Sequence, residues 1–398
     1  MTRHPAAPRA GAVVPMVAIL LVVILGMVAF AVDIGYLSVV QKEMQNAADA
    51  AAMAGAAKML DRGALKGVPN QSGTNAAARD EAQEFSALNK GGGVSLTLSR
   101  NDSNAATGDI VIGRLDSPNL YTANIDPNSA RPNSVRVKVN RNSAENGPVP
   151  LFFGTVFGRK TQNMTVTATA TYEKDGVRGF RVAASGAATS KLLPFTLEVH
   201  QWTNAPGDPW YDASLPGGVM QAQGPDAWTY DPNTHTYAPG SDGVHEVNLY
   251  PTKGNSPGNF GTVNLGQSNN GTPELERQIL YGPNATDMAA FGGQIALGAD
   301  GTLVLPGNPG ISAGFKDDLA SIRGQLRIIP LYQSVTGQGA NTYYTIVAFV
   351  GMTILDVDLT GNNKHVTIQP EYVADVTAMT GGTASNSFFV TKPLRLTR

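Results

Sequence analysis

The strongest pattern along the chain is an unbroken apolar run from Ala12 to Val32, 21 residues without a charge. A helix of about 20 apolar residues matches the hydrocarbon core of a bilayer, so this run predicts a membrane-spanning helix. The anchor residues are Ala12, Val13, Val14, Ile19, Leu20, Leu21, Ile24, Leu25, Val28 and Phe30, with membrane lipid as their partner. Pro15 falls in the first turn, where its missing N–H is harmless. The helical pattern continues past the apolar run. There is no proline between Asp33 and Arg62, and Gln45 to Ala57 is dense in alanine, the best helix former. One helix from about Val14 to Leu60 is predicted, roughly 70 Å long at 1.5 Å per residue. Ala47, Ala51 and Gly55 recur at every fourth position, as do Ala48, Ala52 and Ala56. Small residues in register let another helix approach closely. These six are the expected helix-packing positions, against a second subunit or against the chain's own domain.

Beyond Leu60 the pattern changes. A loop is expected through Gly63, Gly67, Pro69 and Gly73, then a second helix from Thr74 to Asn89, capped by Ser72 or Thr74 and stopped by Gly91-Gly92-Gly93. Alternation predicts strands at Val94–Leu98, Asp109–Ile112, Ser134–Val139 and Met164–Tyr172, the last with threonines on one face. The aromatic run Pro150–Gly158 reads as a short helix or buried plug. Charge rises at Lys174–Gly179, where a new domain is expected to start. Strand-like runs then dominate: Phe195–Val199, Gly243–Tyr250, Gly301–Leu305, Leu326–Leu331, Tyr343–Val350, Met352–Leu359, His365–Ile368 and Phe388–Thr391. Two short helices are expected at Thr272–Tyr281 and Phe315–Arg323. Gly254 to Asn259 belongs to a loop-rich insertion. The fold class is α+β. It comprises a transmembrane helix continuing into a long helix (1–62), a small α+β module (63–175), and a mostly β sandwich-like domain (176–398).

Composition narrows the chemistry. Among 398 residues, 29 Lys and Arg stand against 31 Asp and Glu, a net charge of -2, which disfavours nucleic acid as a partner. With no cysteine, disulfides, thiolate metal sites and cysteine nucleophiles are excluded. His200, His235, His245 and His365 form no helical metal pair. Asp356 and Asp358 share a strand face but run into a turn sequence, which favours a solvated strand end. Asp226, Asp231, Asn233 and Asp242 lack the spacing of a calcium loop. Trp202, Trp210, Tyr211, Trp228 and Tyr230 cluster in sequence, as a core or as a stacking patch. No nucleophile elbow and no phosphate loop occurs. No cofactor is expected, and no enzymatic activity.

Arg3 and Arg9 precede the apolar run and Asp33 follows it, which places the first residues in the cytoplasm and the bulk outside. Ala29-Phe30-Ala31 reads as a cleavage site, but the run exceeds a signal's usual apolar length of about 7–15 residues, so a retained anchor is expected. Arg9 to Val13, then Ala31-Val32-Asp33-Ile34-Gly35-Tyr36-Leu37, then Gln45-Asn46-Ala47-Ala48-Asp49-Ala50-Ala51-Ala52-Met53-Ala54-Gly55-Ala56, resemble the amino-terminal domain of TadG-like Flp pilus-assembly proteins. The resemblance covers about the first 60 residues. It implies a single-pass protein of the bacterial inner membrane that assists assembly or anchoring of adhesive pili, without catalysis. It implies pilus-assembly proteins or copies of this chain as partners of the helix. Gly11 is followed at the fifth position by Met16 rather than an acidic residue, so pilin-type processing is not expected. Asp212-Ala213-Ser214-Leu215-Pro216 breaks the metal motif of a von Willebrand A domain, so none is expected. The alternative is an envelope adhesin with no pilus role.

Overall fold

The computed structural model describes residues 13–115, 124–173, 176–183, 188–250, 261–266, 271–309, 313–337, 341–361, 364–381 and 387–397. Ala12, Arg3, Arg9, Gly11 and the Gly254–Asn259 loop lie outside the described residues. The chain divides into two compact units. One contains residues 1–58, 75–171 and 396–398; the other contains 59–74 and 172–395.

The first unit is built on one long helix, α1 (Val13–Ala57). Its amino-terminal part is apolar on every side. From Val40 onward only one stripe is buried: Val40, Met44, Ala47, Ala48, Ala51, Ala52, Gly55 and Ala56. The three- and four-residue spacing is that of a helix with one packed face. That face lies on a four-stranded sheet in which β1 (Ile110–Gly113), β2 (Ser134–Arg141) and β3 (Met164–Thr171) are antiparallel neighbours and a fourth strand, Arg395–Thr397, lies beside β3. Val135, Val137 and Val139 of β2, with Val166, Ala168 and Ala170 of β3, form the sheet's buried face. Thr165 and Thr167 of β3 face solvent, as the alternation predicted.

The second helix, α2 (Gln71–Ala87), starts three residues earlier than the pattern implied. Its cap is Asn70, whose Oδ1 accepts from the Gly73 N–H at 2.9 Å, rather than Ser72 or Thr74. The glycines after it both stop the helix and turn the chain. Gly92 (φ 61°) and Gly93 (φ 79°) occupy the left-handed region between Lys90–Gly91 and Val94–Ser95. Two successive positive φ values match the right-handed twist of a hairpin. The strand expected over Val94–Leu98 is therefore only two residues long, Val94–Ser95.

The main sheet of the second unit is built from β4 (Phe195–Glu198), β5 (Val247–Tyr250), β6 (Gly261–Val263), β7 (Leu303–Pro309), β8 (Leu326–Thr336), β9 (Thr342–Asp358), β10 (His365–Pro370) and β11 (Ser387–Phe388). They form one eight-stranded sheet in the order β5-β10-β9-β7-β6-β4-β8, with β11 beside β9. Because β8 also pairs with β9, five of these strands close a ring, so the body is barrel-like. The β4–β8 pair is parallel; the other pairs around the ring are antiparallel. Each face of the sheet carries a core. Ile328, Tyr332, Tyr344 and Phe349 join Phe180 on one side; Ile329, Leu331 and Val350 join Phe195 and Trp202 on the other. Burial on both faces explains why β8 and β9 read as near-continuous apolar runs.

The expected break between Tyr343–Val350 and Met352–Leu359 does not exist: β9 runs 17 residues through Gly351. Conversely, the run Phe388–Thr391 is broken at Phe389, which sits at φ 57°. Thr272–Tyr281 is helical as expected, as α3, with its proline in the first turn. The predicted helix at Phe315–Arg323 shortens to a 3-10 turn (Ala313–Phe315) and α4 (Lys316–Ser321). The loop after Leu60 contains a helical turn, Arg62–Leu65, and both Met59 and Leu65 are buried. Asp61 caps it, accepting from the N–H groups of Gly63 at 2.8 Å and Asn70 at 2.7 Å.

Candidate membrane-anchor site

The apolar part of α1 is long enough to cross a membrane. Of the anchor residues, Val13, Val14, Ile19, Leu20, Leu21, Ile24, Leu25, Val28 and Phe30 are 50 to 76% exposed. A helix that is apolar all round and unburied by its own protein has the surface of a membrane span. The small-residue positions stand apart. Ala47, Ala48, Ala51, Ala52, Gly55 and Ala56 are buried within the unit's own fold, against its sheet and, at Gly55, against α2, so these six positions offer no free face to a helix of another chain.

Gly55 shows how tight that packing is. A Cβ there would sit 2.9 Å from the Ala78 carbonyl oxygen, 3.2 Å from the Ala82 Cβ and 3.3 Å from the Val135 Cγ1. Gly55→Leu is expected to destabilise the unit by about 2 kcal/mol, since overpacking outweighs the gain of about 1 kcal/mol in helix propensity. Hydrogen exchange of β2 and β3 measures this; unchanged protection in the variant would refute it.

At the end of the apolar run stands Asp33, only 6% exposed. Its carboxylate accepts from the backbone N–H of Phe152 at 2.8 Å and of Phe153 at 3.1 Å. Tyr36, one turn on, meets the Phe152 ring edge-on at 4.9 Å. The aromatic run is thus pinned to α1, as a 3-10 turn (Gly154–Phe157) rather than a buried plug. Phe152 is 65% exposed, Val156 80% and Phe157 64%. Between this turn and α1 lies an apolar groove of about 610 Å³, lined by Val23, Gly26, Met27, Phe30, Leu151 and Phe157 among others.

The candidate chemical groups are engaged elsewhere. His200 Nε2 lies 2.8 Å from the Trp210 carbonyl oxygen, His235 bonds the Tyr230 hydroxyl, and His245 lies 2.9 Å from the Gly224 carbonyl oxygen. His365 lies 2.9 Å from Asp356, which also pairs with Arg323 at 3.4 Å. Asp358 accepts from the Thr360 hydroxyl and N–H, which holds its carboxyl below the usual range. Asp226 accepts from the N–H groups of Asp242 and Gly243, Asp231 from that of Asn233, and Asp242 from Gln369. Among the described residues no group of three such side chains is placed to hold a metal ion. Trp202, Trp210 and Tyr230 are buried, while Trp228 packs with Tyr237 beside the Arg323 guanidinium.

Residues 11–58 match the family model described as putative Flp pilus-assembly TadE/G-like, and residues 42–170 match one described as putative Tad-like Flp pilus-assembly. The amino-terminal region is Tad-like. Together the two matches run from the start of the apolar helix to residue 170, in β3. No curated protein and no solved structure matches the chain. Within the Tad-like region, two features went unread in the sequence. Asp33 holds the aromatic turn, and its position directly after the apolar run was the available signal. The long-range pairing of residue 33 with residues 152 and 153 left no local signature. Gly35, in the same short motif, has no packing reason: a Cβ there meets nothing within 4 Å.

Proposed function

We propose that this chain is a noncatalytic, membrane-anchored accessory component of a Tad/Flp-type pilus assembly or adhesion system. The observation that carries the reading is an unburied apolar helix continuous with a Tad-like region. The protein sits in the bacterial inner membrane as a single pass. Arg3 and Arg9 favour a cytoplasmic amino-terminal side, with the two folded units outside. A noncatalytic role is supported by the histidines and carboxylates described above, which serve as caps and structural pairs. The alanine stretch is buried within its own unit. Contacts with pilus-assembly proteins, or with copies of this chain, therefore fall to the lipid-facing span or to the outer unit.

The test replaces residues 12–32 by a cleavable secretory signal in a strain lacking the native gene. The native chain is expected to restore surface pili, counted by electron microscopy, and the released form to leave them absent. Restoration by the released form would overturn the anchoring role. A null strain that keeps its pili and loses only surface binding would replace this reading with that of an adhesin.

A further inference from the structure

We infer that the turn from Leu151 to Lys160 is a second membrane-embedded element, a wedge that dips beside the anchor helix into the leaflet on the folded side. This rests on the reading of α1 as a membrane span. Three independent observations carry it.

The first is depth. A Cβ on Gly26 would lie 3.9 Å from the tip of the Phe157 ring. Gly26 is six residues inside the end of the apolar run at Val32, roughly 9 Å along the helix axis at 1.5 Å per residue. If Val32 lies at the edge of the hydrocarbon, Phe157 lies well within it.

The second is the surface. Phe152, Val156 and Phe157 point outward and are mostly uncovered, and they are followed by exposed Arg159 and Lys160. Apolar side chains that enter the acyl region, flanked by cations at headgroup level, are what an interfacial segment needs. The occupant of the groove between turn and helix is accordingly a phospholipid acyl chain, because its walls are mostly apolar, with Met27 and Phe30 of the span on one side and Leu151 and Phe157 on the other. Asp33, Arg159 and Gln162 supply its polar lining.

The third is the backbone. A non-helical segment tolerates hydrocarbon only when its polar groups are satisfied internally. Leu151 N–H donates to the Lys160 carbonyl, Val156 to Phe153, Gly158 to Thr155 and Arg159 to Gly154. The N–H groups of Phe152 and Phe153 go to Asp33. The buried carboxylate at the membrane edge thus takes two amides that the turn itself leaves open.

The chain has no cysteine, so single cysteines give clean spin-label sites. The full chain carrying Phe157→Cys, or Val156→Cys as a second site, is reconstituted in phosphatidylethanolamine–phosphatidylglycerol vesicles. Val22→Cys marks the span and Ser103→Cys marks water. The ratio of oxygen to nickel-chelate collision is expected to match Val22 at both turn positions and to exceed that at Ser103, because oxygen concentrates in the hydrocarbon core and the chelate is excluded from it. Turn labels that behave like Ser103 while Val22 stays protected would overturn the wedge and leave the anchor intact. An aqueous Val22 label would sink the anchor reading and the wedge with it. Protected turn labels that broaden one another by dipolar coupling would mean that a second copy, not lipid, fills the groove.

Discussion

Gly351→Val is expected to destabilise the outer unit by about 3 kcal/mol, at the upper end for overpacking a core. Gly351 lies opposite Ile328 on β8, where the other edge of β9 changes partners. At Phe349 and Val350 that edge pairs with β11, and from Met352 onward it pairs with β10. At the junction the carbonyl oxygens of Glu371 and Phe389 both crowd the position a Cβ would take, well inside van der Waals contact. Both are backbone atoms, so neither can swing aside as a side chain does. Phe389 is further constrained by its left-handed conformation, φ 57°. Valine's preference for strands, worth up to about 1 kcal/mol, opposes the clash but is the smaller effect. All three tryptophans lie in this unit. Urea unfolding of the detergent-solubilised chain, followed by their fluorescence, isolates the effect. A midpoint equal to that of the native chain would mean that the two carbonyls yield easily.

Arg62→Ala is expected to cost about 2–3 kcal/mol in the same unit. Glu371 is 3% exposed, and both of its carboxylate oxygens lie near one Arg62 nitrogen, at 2.9 and 3.1 Å. Breaking a fully buried pair costs about 3–5 kcal/mol because the remaining charge has no partner. Arg62 is 42% exposed, so water enters when it is removed, which lowers the expected loss. Adding Glu371→Gln to Arg62→Ala is expected to recover much of it. A neutral amide removes the stranded charge, and its oxygen still accepts from the Tyr372 N–H, now bonded at 2.8 Å.

The pair also gives a pH dependence. Burial raises the Glu371 pKa, Arg62 lowers it, and nearby Asp242 raises it further. A carboxyl whose folded pKa is raised favours the fold below its unfolded value, and this contribution is lost as pH rises through the folded value. Removing Arg62 raises the folded value again. The penalty of Arg62→Ala should therefore shrink as pH falls through the raised folded value, since the protonated acid needs no cation. A penalty constant with pH, measured by the same fluorescence, would place the loss in packing rather than charge.

Local pattern was enough for much of the first unit. The apolar run, the alanine-rich continuation and the alternating strands β1 to β3 each carry their structure within a few turns or a few residues. Helix propensity and the two-residue period of a strand are short-range effects. The Tad-like resemblance rested on the same local motifs. The outer unit was legible as β-rich, and α3 was readable from its composition, but the closing of the sheet was not. Closure depends on β8, which already pairs with its sequence neighbour β9, also meeting β4, more than a hundred residues earlier. Gly351 illustrates the limit. Alone it reads as a strand break, because glycine weakens a strand. In the folded protein it continues the strand, because only a missing side chain lets three strands converge there.

The candidate site divides in the same way. The sequence by itself determined that a charge-free helix of membrane length leads into a helix lined with small residues. Only the tertiary structure decided that those small residues pack within the chain's own first unit, on its sheet and on α2. It also decided that Asp33 reaches forward to residues 152 and 153, which holds the aromatic run as an exposed turn beside the apolar helix. Apolarity and helical period are written residue by residue, whereas the partner of a buried carboxylate or of a small-residue face is fixed only when distant segments pack together.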